Sequence, residues 1–229
     1  MSLQVKDIIG QGIYTVPEAA RLTRVSTANI YNWLYGGNVA SSRKGRHPTL
    51  AHQFAPIDNI ANVSFNDLIQ IRFVSFFRES GISLQAIRKA VNNATALLKT
   101  THPLCNSSFK TDGVNLLAEV YETTGDVNLV ELHSMQQVFR EIINPFLTTL
   151  DYDHGQVSRW WHAMGNRKVV LDPGCNYGMP TIAECGYPTA ALFEAFKANG
   201  SSAATVADWF EIAESDVEEA VEFELRLAA

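Results

Sequence analysis

Cysteine is scarce in this chain of 229 residues. Cys105, Cys175 and Cys185 are odd in number, and none lies in a C-x-x-C pair or at a Cys/His ligand spacing. That argues against a disulfide framework and against a structural zinc site, so free thiols and no metal or cofactor are expected. Long apolar runs are also missing: none approaches the roughly 18 residues that a membrane helix needs. Met1–Asp7 has neither the basic start nor the apolar core of a secretory signal, so a cytoplasmic protein with no membrane partner is expected. Cations nearly vanish towards the end, where residues 169–229 hold only Lys197 and Arg226 against 11 acids.

The net charge of −6 therefore hides an uneven distribution. Residues 1–100 carry 11 Lys/Arg against 5 Asp/Glu, a balance of +6; residues 101–168 carry 5 against 8, a balance of −3; residues 169–229 stand at −9. Three domains follow from these shifts: a basic module over 1–100, a linking region over 101–168 and an acidic module over 169–229. Ends of opposite charge suit partners of opposite character.

The basic module reads as helices with clear start and stop signals. Thr15-Val16-Pro17-Glu18 is a capping box, with proline tolerated in the first turn. The helix it opens is short, because Thr23-Arg24-Val25 interrupts it and Ser26 caps a second one carrying Ile30, Trp33 and Leu34, which Gly36-Gly37 stops. Two short helices joined by a three-residue turn, with Ala19, Ala20 and Val25 at the contact, match a helix-turn-helix. Its second helix begins with short polar side chains, as a helix that reads base edges must. Asn29 and Asn32 can pair with adenine, the methyls of Thr27 or Ala28 can touch thymine, and Arg24 and Tyr31 can reach phosphates. The following run Ser41-Ser42-Arg43-Lys44-Gly45-Arg46-His47 suits a wing along the phosphate backbone, with Arg43, Lys44 and Arg46 as its contacts. Ser64 then opens an apolar helix containing Leu68, Ile71, Phe73, Val74, Phe76 and Phe77, closed at Glu79-Ser80-Gly81, and Ser83 caps another over Leu84–Val91.

Taken in order, Tyr14-Thr15-x-x-Glu18-Ala19-Ala20, the short turn, Trp33-Leu34, the basic wing, Asp67-Leu68, Gly81-Ile82-Ser83-Leu84 and Ile87-Arg88 resemble the winged helix-turn-helix of MerR-type regulators over about residues 12–100. The resemblance implies sequence-specific binding of double-stranded DNA by a homodimer, with Thr27 to Asn32 in the major groove and Arg43 to Arg46 on phosphates.

The middle of the chain changes period. Gly113–Tyr121 and Val127–Leu132 around Thr124-Gly125-Asp126 predict a β-hairpin. Ile142–Leu150 and Val157–His162 around Asp151–Gly155 predict a second, followed by an apolar strand at Val169–Leu171. Adjacent Trp160 and Trp161 should face opposite sides of their strand. His102, His133, His154 and His162 with Asp151 and Asp153 invite a hydrolase or metal reading, but they lack ligand spacing, and Cys175 and Cys185 lack a neighbouring histidine base.

The acidic module returns to helices. Asp172–Ile182 is rich in turns, Pro188-Thr189 starts a helix stopped by Asn199-Gly200, Ser201 or Ser202 caps the next, and Ser215–Glu218 opens the last. Its carboxylates would repel phosphate, so a protein is the partner its charge fits. The series Val170-Leu171-Asp172-Pro173, Gly178-x-Pro180-x-Ile182, Asn199-Gly200-Ser201, Val206-x-x-Trp209-Phe210 and Asp216-Val217-x-x-Ala220-Val221-x-Phe223-Glu224 resembles the small helix-turn-helix domain of antitoxins paired with PIN-domain ribonuclease toxins. Head, middle and tail together resemble the larger VapB-type antitoxins. The fold expected is α+β: an N-terminal winged helix-turn-helix, a small antiparallel β region and a C-terminal three-helix bundle. The resemblance implies a non-enzymatic antitoxin and autorepressor that binds its own operator and a cognate PIN-domain toxin, the latter through Trp209, Phe210, Glu218, Glu222 and Phe223. A free-standing MerR-like regulator with a ligand-responsive C-terminal region is the alternative reading.

Overall fold

Helix and strand are mixed in the computed structural model of the protein, which describes residues 10–36, 47–57, 60–110, 134, 136–163 and 166–228. The architecture is α+β with two antiparallel sheets. The described residues of 13–148 and 152–157 group into one unit, and those of 10–12, 149–151 and 158–228 into a second.

In the first unit, strand ends and helix starts coincide. Strand β1 (Ile13–Thr15) pairs antiparallel with β2 (Asn62–Ser64), in the register Ile13 to Ser64 and Thr15 to Asn62. Thr15 is the N-cap of α1 (Val16–Thr23) and Ser64 that of α3 (Phe65–Glu79). Each heads a complete capping box: Glu18 returns its carboxylate to the Thr15 amide at 2.7 Å, and Asp67 returns its own to the Ser64 amide at 3.0 Å. Two orphan donors are thereby satisfied at each helix start. The ladder thus fixes where both helices begin. Ser26 caps α2 (Thr27–Tyr35), Gly36 closes it in the left-handed conformation, and Ser83 caps α4 (Leu84–Leu98).

Helix α3 is buried along most of its length, with Leu68, Ile69, Ile71, Phe73 and Val74 shut off from solvent. A helix buried on nearly every side is the centre of a packed unit. Helices α1, α2 and α4 all rest on it. The Phe73 ring meets those of Phe109 and Phe146 edge-on, at centroid distances of 5.5 and 5.2 Å. Edge-to-face geometry adds to the burial of such rings. Asp67, also fully buried, does more than close its capping box. Its Oδ2 accepts from the Gln53 amide at 3.3 Å, and its Oδ1 lies 3.1 Å from Nε2 of His102.

The hairpin expected over 113–132 lies outside the described residues. The strand expected over Ile142–Leu150 is corrected by the structure: a π-turn at Phe139–Ile143 runs into the short helix α5 (Asn144–Leu147), and only from Leu150 does the chain extend. Phe139, Ile143, Phe146 and Leu147 are the buried positions, and that is a helical period. Pro145 is no obstacle, because it lies in the first turn of α5.

The second unit holds most of a four-stranded sheet in the order β3 (Leu150–Asp153), β4 (Gln156–Ala163), β5 (Asn166–Leu171), β6 (Thr181–Ile182). His154 and Gly155, both at positive φ, make the turn between β3 and β4, as tight hairpins require. Trp160 is buried, whereas Trp161 stands half-buried, donates from Nε1 to Asp151 at 2.7 Å and lies under the Arg167 guanidinium at 4.8 Å. Helices α6 (Thr189–Ala198), α7 (Ala203–Phe210) and α8 (Glu214–Ala228) complete the unit, with α8 packed on both others. Thr189 donates to Glu224 across α6 and α8 at 2.5 Å.

The two capping boxes should differ in cost. Asp67→Ala strands buried donors and should destabilise by about 3 kcal/mol or more, whereas Glu18→Ala at the exposed box should cost about 1 kcal/mol or less. Urea unfolding of both variants checks this, and equal losses would contradict the role given to Asp67.

Candidate nucleic-acid interface

Helix α2 has one dry side and one wet side, and sequence sets both. Ile30, Trp33 and Leu34 are buried, while Thr27, Ala28, Asn29 and Asn32 are exposed and Tyr31 is half-buried. The Ser26 hydroxyl accepts from the Asn29 amide at 3.3 Å, which leaves the Asn29 side-chain amide for other partners. Arg24 is exposed in the turn before α2, at φ 56°. Arg24, Thr27, Ala28, Asn29 and Asn32 are thus brought to the surface around one helix start. Arg43, Lys44 and Arg46 lie outside the described residues.

The surface is braced from beneath by residues that sequence reading passes over. Arg72 of α3 donates from Nη1 to the Thr23 carbonyl at 3.1 Å, at the last residue of α1, and its guanidinium lies 4.2 Å over the Phe76 ring. Burial lowers the Arg72 pKa, and the nearby Glu79 carboxylate opposes that shift. At the other end of α2, the Thr49 and Leu50 amides both donate to the Trp33 carbonyl, at 2.8 and 3.0 Å. Arg88 of α4 holds the same segment, with Nε on the Pro48 carbonyl at 3.2 Å and Nη2 on the Thr49 hydroxyl at 3.3 Å. The chain that leaves the basic run is therefore fastened to α2 and α4. Tyr35 secures the far side: its hydroxyl donates to the Asn62 carbonyl at 2.6 Å and accepts from the Asn62 amide at 3.2 Å. Beside the segment held by Arg88 is an open cleft of about 340 Å³, lined by Asn29, Asn32, His47, Thr49, Leu84 and Arg88 among others. Two amides, an imidazole, a hydroxyl and a guanidinium around one concavity can hydrogen-bond base edges and pair with phosphate.

No protein-family profile matches the chain. A curated protein of Mycobacterium tuberculosis (strain ATCC 25618 / H37Rv) named "Putative antitoxin VapB45" is 25% identical over 226 residues, covering 92% of this chain and 92% of that protein. The crystal structure of Rv2018 from Mycobacterium tuberculosis matches with a TM-score of 0.73 at 22% identity, covering 91% of this chain and 96% of that one. The fold is shared.

The residues singled out in the tail separate by burial. Trp209, Glu218 and Glu222 are exposed and Phe210 is partly so. Phe223 lies in the core of the second unit, edge-on to His162 at 5.0 Å. The histidines are not brought together. His154 is exposed near Asp153, His162 lies between Trp160 and Phe223, and His102 has a ring nitrogen on Thr101 and the other on Asp67; His133 is outside the described residues. Burial pushes the Cys105 thiol well up, and its Sγ donates to the Asn66 carbonyl at 3.4 Å. A protonated thiol held on a carbonyl is a core group and not a nucleophile. Among the described residues no three His, Cys, Asp or Glu side chains converge as metal ligands, and no helix is long and apolar enough to cross a membrane.

The clamp on residues 48–50 has a measurable signature. Arg88→Met should raise hydrogen exchange at the Thr49 and Leu50 amides at least about tenfold, because local opening sets that rate, while global stability falls by about 1 kcal/mol. Unchanged exchange at both amides would show that Arg88 does not hold the segment.

Proposed function

We propose that this chain is the antitoxin of a toxin–antitoxin pair and represses its own operon. The first unit binds operator DNA as a homodimer through a MerR-like winged helix-turn-helix, and the acidic tail engages a PIN-domain ribonuclease toxin. The observation that carries the DNA half is the exposed start of α2, with Thr27, Ala28, Asn29 and Asn32 at the surface over buried Ile30, Trp33 and Leu34. Short amides and methyls are the groups that read adenine and thymine in the major groove. Arg24 and Tyr31 lie where phosphates flank such a helix, and the run of Arg43, Lys44 and Arg46 supplies the charge that binding to the backbone needs. The 25% identity to a protein named as an antitoxin, spread over 92% of this chain, supports the toxin half. So does the charge balance of −9 over residues 169–229, which disfavours a second nucleic-acid site. The protein acts by binding and takes no part in catalysis.

Two measurements test the two halves separately. Binding to the DNA upstream of its own gene should weaken by about 1–3 kcal/mol for each of Asn29→Ala and Asn32→Ala, with non-specific binding retained. Wild-type affinity should also fall steeply with added salt. Unchanged specific affinity in both variants would remove α2 from the DNA contact. For the other half, a tagged copy co-expressed with the product of the adjacent gene should co-purify in fixed stoichiometry through a salt wash, and failure to do so would overturn the antitoxin assignment.

A further inference from the structure

We propose that the exposed aromatic surface formed by Tyr177, Met179, Tyr187 and Trp209 docks an arginine-bearing segment of the partner protein. The proposal rests on the reading that the tail engages a protein partner, and it assigns the place and the chemistry of that contact.

The surface is built at a cost in backbone conformation. Asn176 and Tyr177 are consecutive residues at positive φ, 48° and 57°. L side chains avoid that region, bulky rings above all. The Asn176 side chain holds the loop there, donating from Nδ2 to the Thr181 hydroxyl at 3.1 Å and to the Gly186 carbonyl at 2.9 Å. The result is a Tyr177 side chain left 71% exposed, with Met179 at 44%. The bond to Gly186 joins this loop to Tyr187, whose ring meets Phe210 edge-on at 5.0 Å, and next to Phe210 stands Trp209, 66% exposed. Tyrosine and tryptophan are the residues that most often anchor protein interfaces.

Charge identifies what fits. Glu184, Asp208, Glu211 and Glu214 flank these aromatic residues in sequence and are exposed. Among the described residues none of the four has a cation within ion-pair distance, while Arg159, Arg167 and Arg226 of the same unit are each paired, with Asp172, with Asp151, and with Glu219 and Glu222. Aromatic faces beside uncompensated carboxylates suit a guanidinium, which stacks on a ring and binds a carboxylate through two N–H groups at once. A lysine ammonium lacks the planar fork. The unit already uses this combination internally, where Arg167 pairs with Asp151 and lies over the Trp161 ring.

The test uses the full chain and a synthetic peptide alternating arginine with leucine, followed through tryptophan fluorescence. The arginine peptide should bind, and its lysine counterpart of equal charge should bind at least tenfold more weakly. Tyr177→Ala and Trp209→Ala should each weaken the arginine peptide at least tenfold with circular dichroism unchanged, and Glu211→Gln with Glu214→Gln should flatten the salt dependence. No binding, equal binding of the lysine peptide, or indifference to both aromatic variants would overturn the proposal. So would concentration-dependent self-association lost in Trp209→Ala, since the occupant would then be a second copy of this chain. Co-purification with the adjacent gene product that survives both aromatic substitutions would leave the antitoxin reading standing and remove this surface from it.

Discussion

The buried carboxylate of Asp67 is the point on which the first unit is assembled. One oxygen closes the capping box at Ser64 and accepts from the Gln53 amide, and the other lies against His102. Two stretches distant in sequence, at Gln53 and His102, are thereby tied to one helix start. A charge removed from water is tolerated only where donors surround it. Asp67 meets that condition, and the β1–β2 ladder then extends the constraint to Thr15 and the start of α1. The exposed face of α2 inherits its position from this frame, through contacts of α1 and α2 with α3 and through the bond from Arg72 to the end of α1.

Local rules carry far in this chain because so many of its boundaries are chemical. Thr15, Ser26, Ser64, Ser83 and Ser202 each cap a helix as hydroxyl residues do, and Gly36 ends α2 as a left-handed residue. The exposed side of α2 follows from the spacing of Ile30, Trp33 and Leu34. What is not legible is non-local. Strands β1 and β2 are three residues each, too short to show a period, and exist because they pair across the unit. The segment Ile142–Leu147 carries β-branched and aromatic residues that favour strands, yet the rings of Phe73 and Phe76 hold Phe146 on a helix. Phe223 has the composition of a surface anchor beside so many acids, and its burial against His162 depends on a strand remote in sequence. Arg72 and Arg88 look like ordinary surface cations in the sequence; only the carbonyls they meet at Thr23 and Pro48 give them a role.

The two ends of the chain use their charges in opposite ways. Within the first unit Arg72, Arg78 and Arg88 donate to backbone carbonyls, whereas Arg24 stands exposed at the start of α2. Among the described residues of the second unit the arginines are ion-paired, while the exposed Glu184, Asp208, Glu211 and Glu214 have no cation within ion-pair distance. A surface offering amides and methyls beside cations suits a phosphate polymer, and one offering rings beside carboxylates suits a cationic protein segment.

Hydrogen exchange of the full chain tests this separation of contacts directly, with its upstream DNA in one sample and the adjacent gene product in another. DNA should protect amides within residues 24–36 and 47–50 and leave 174–216 unchanged, whereas the protein partner should protect 175–187 and 203–216 and leave α2 unchanged. Protection of the tail by DNA, or of α2 by the protein partner, would contradict it.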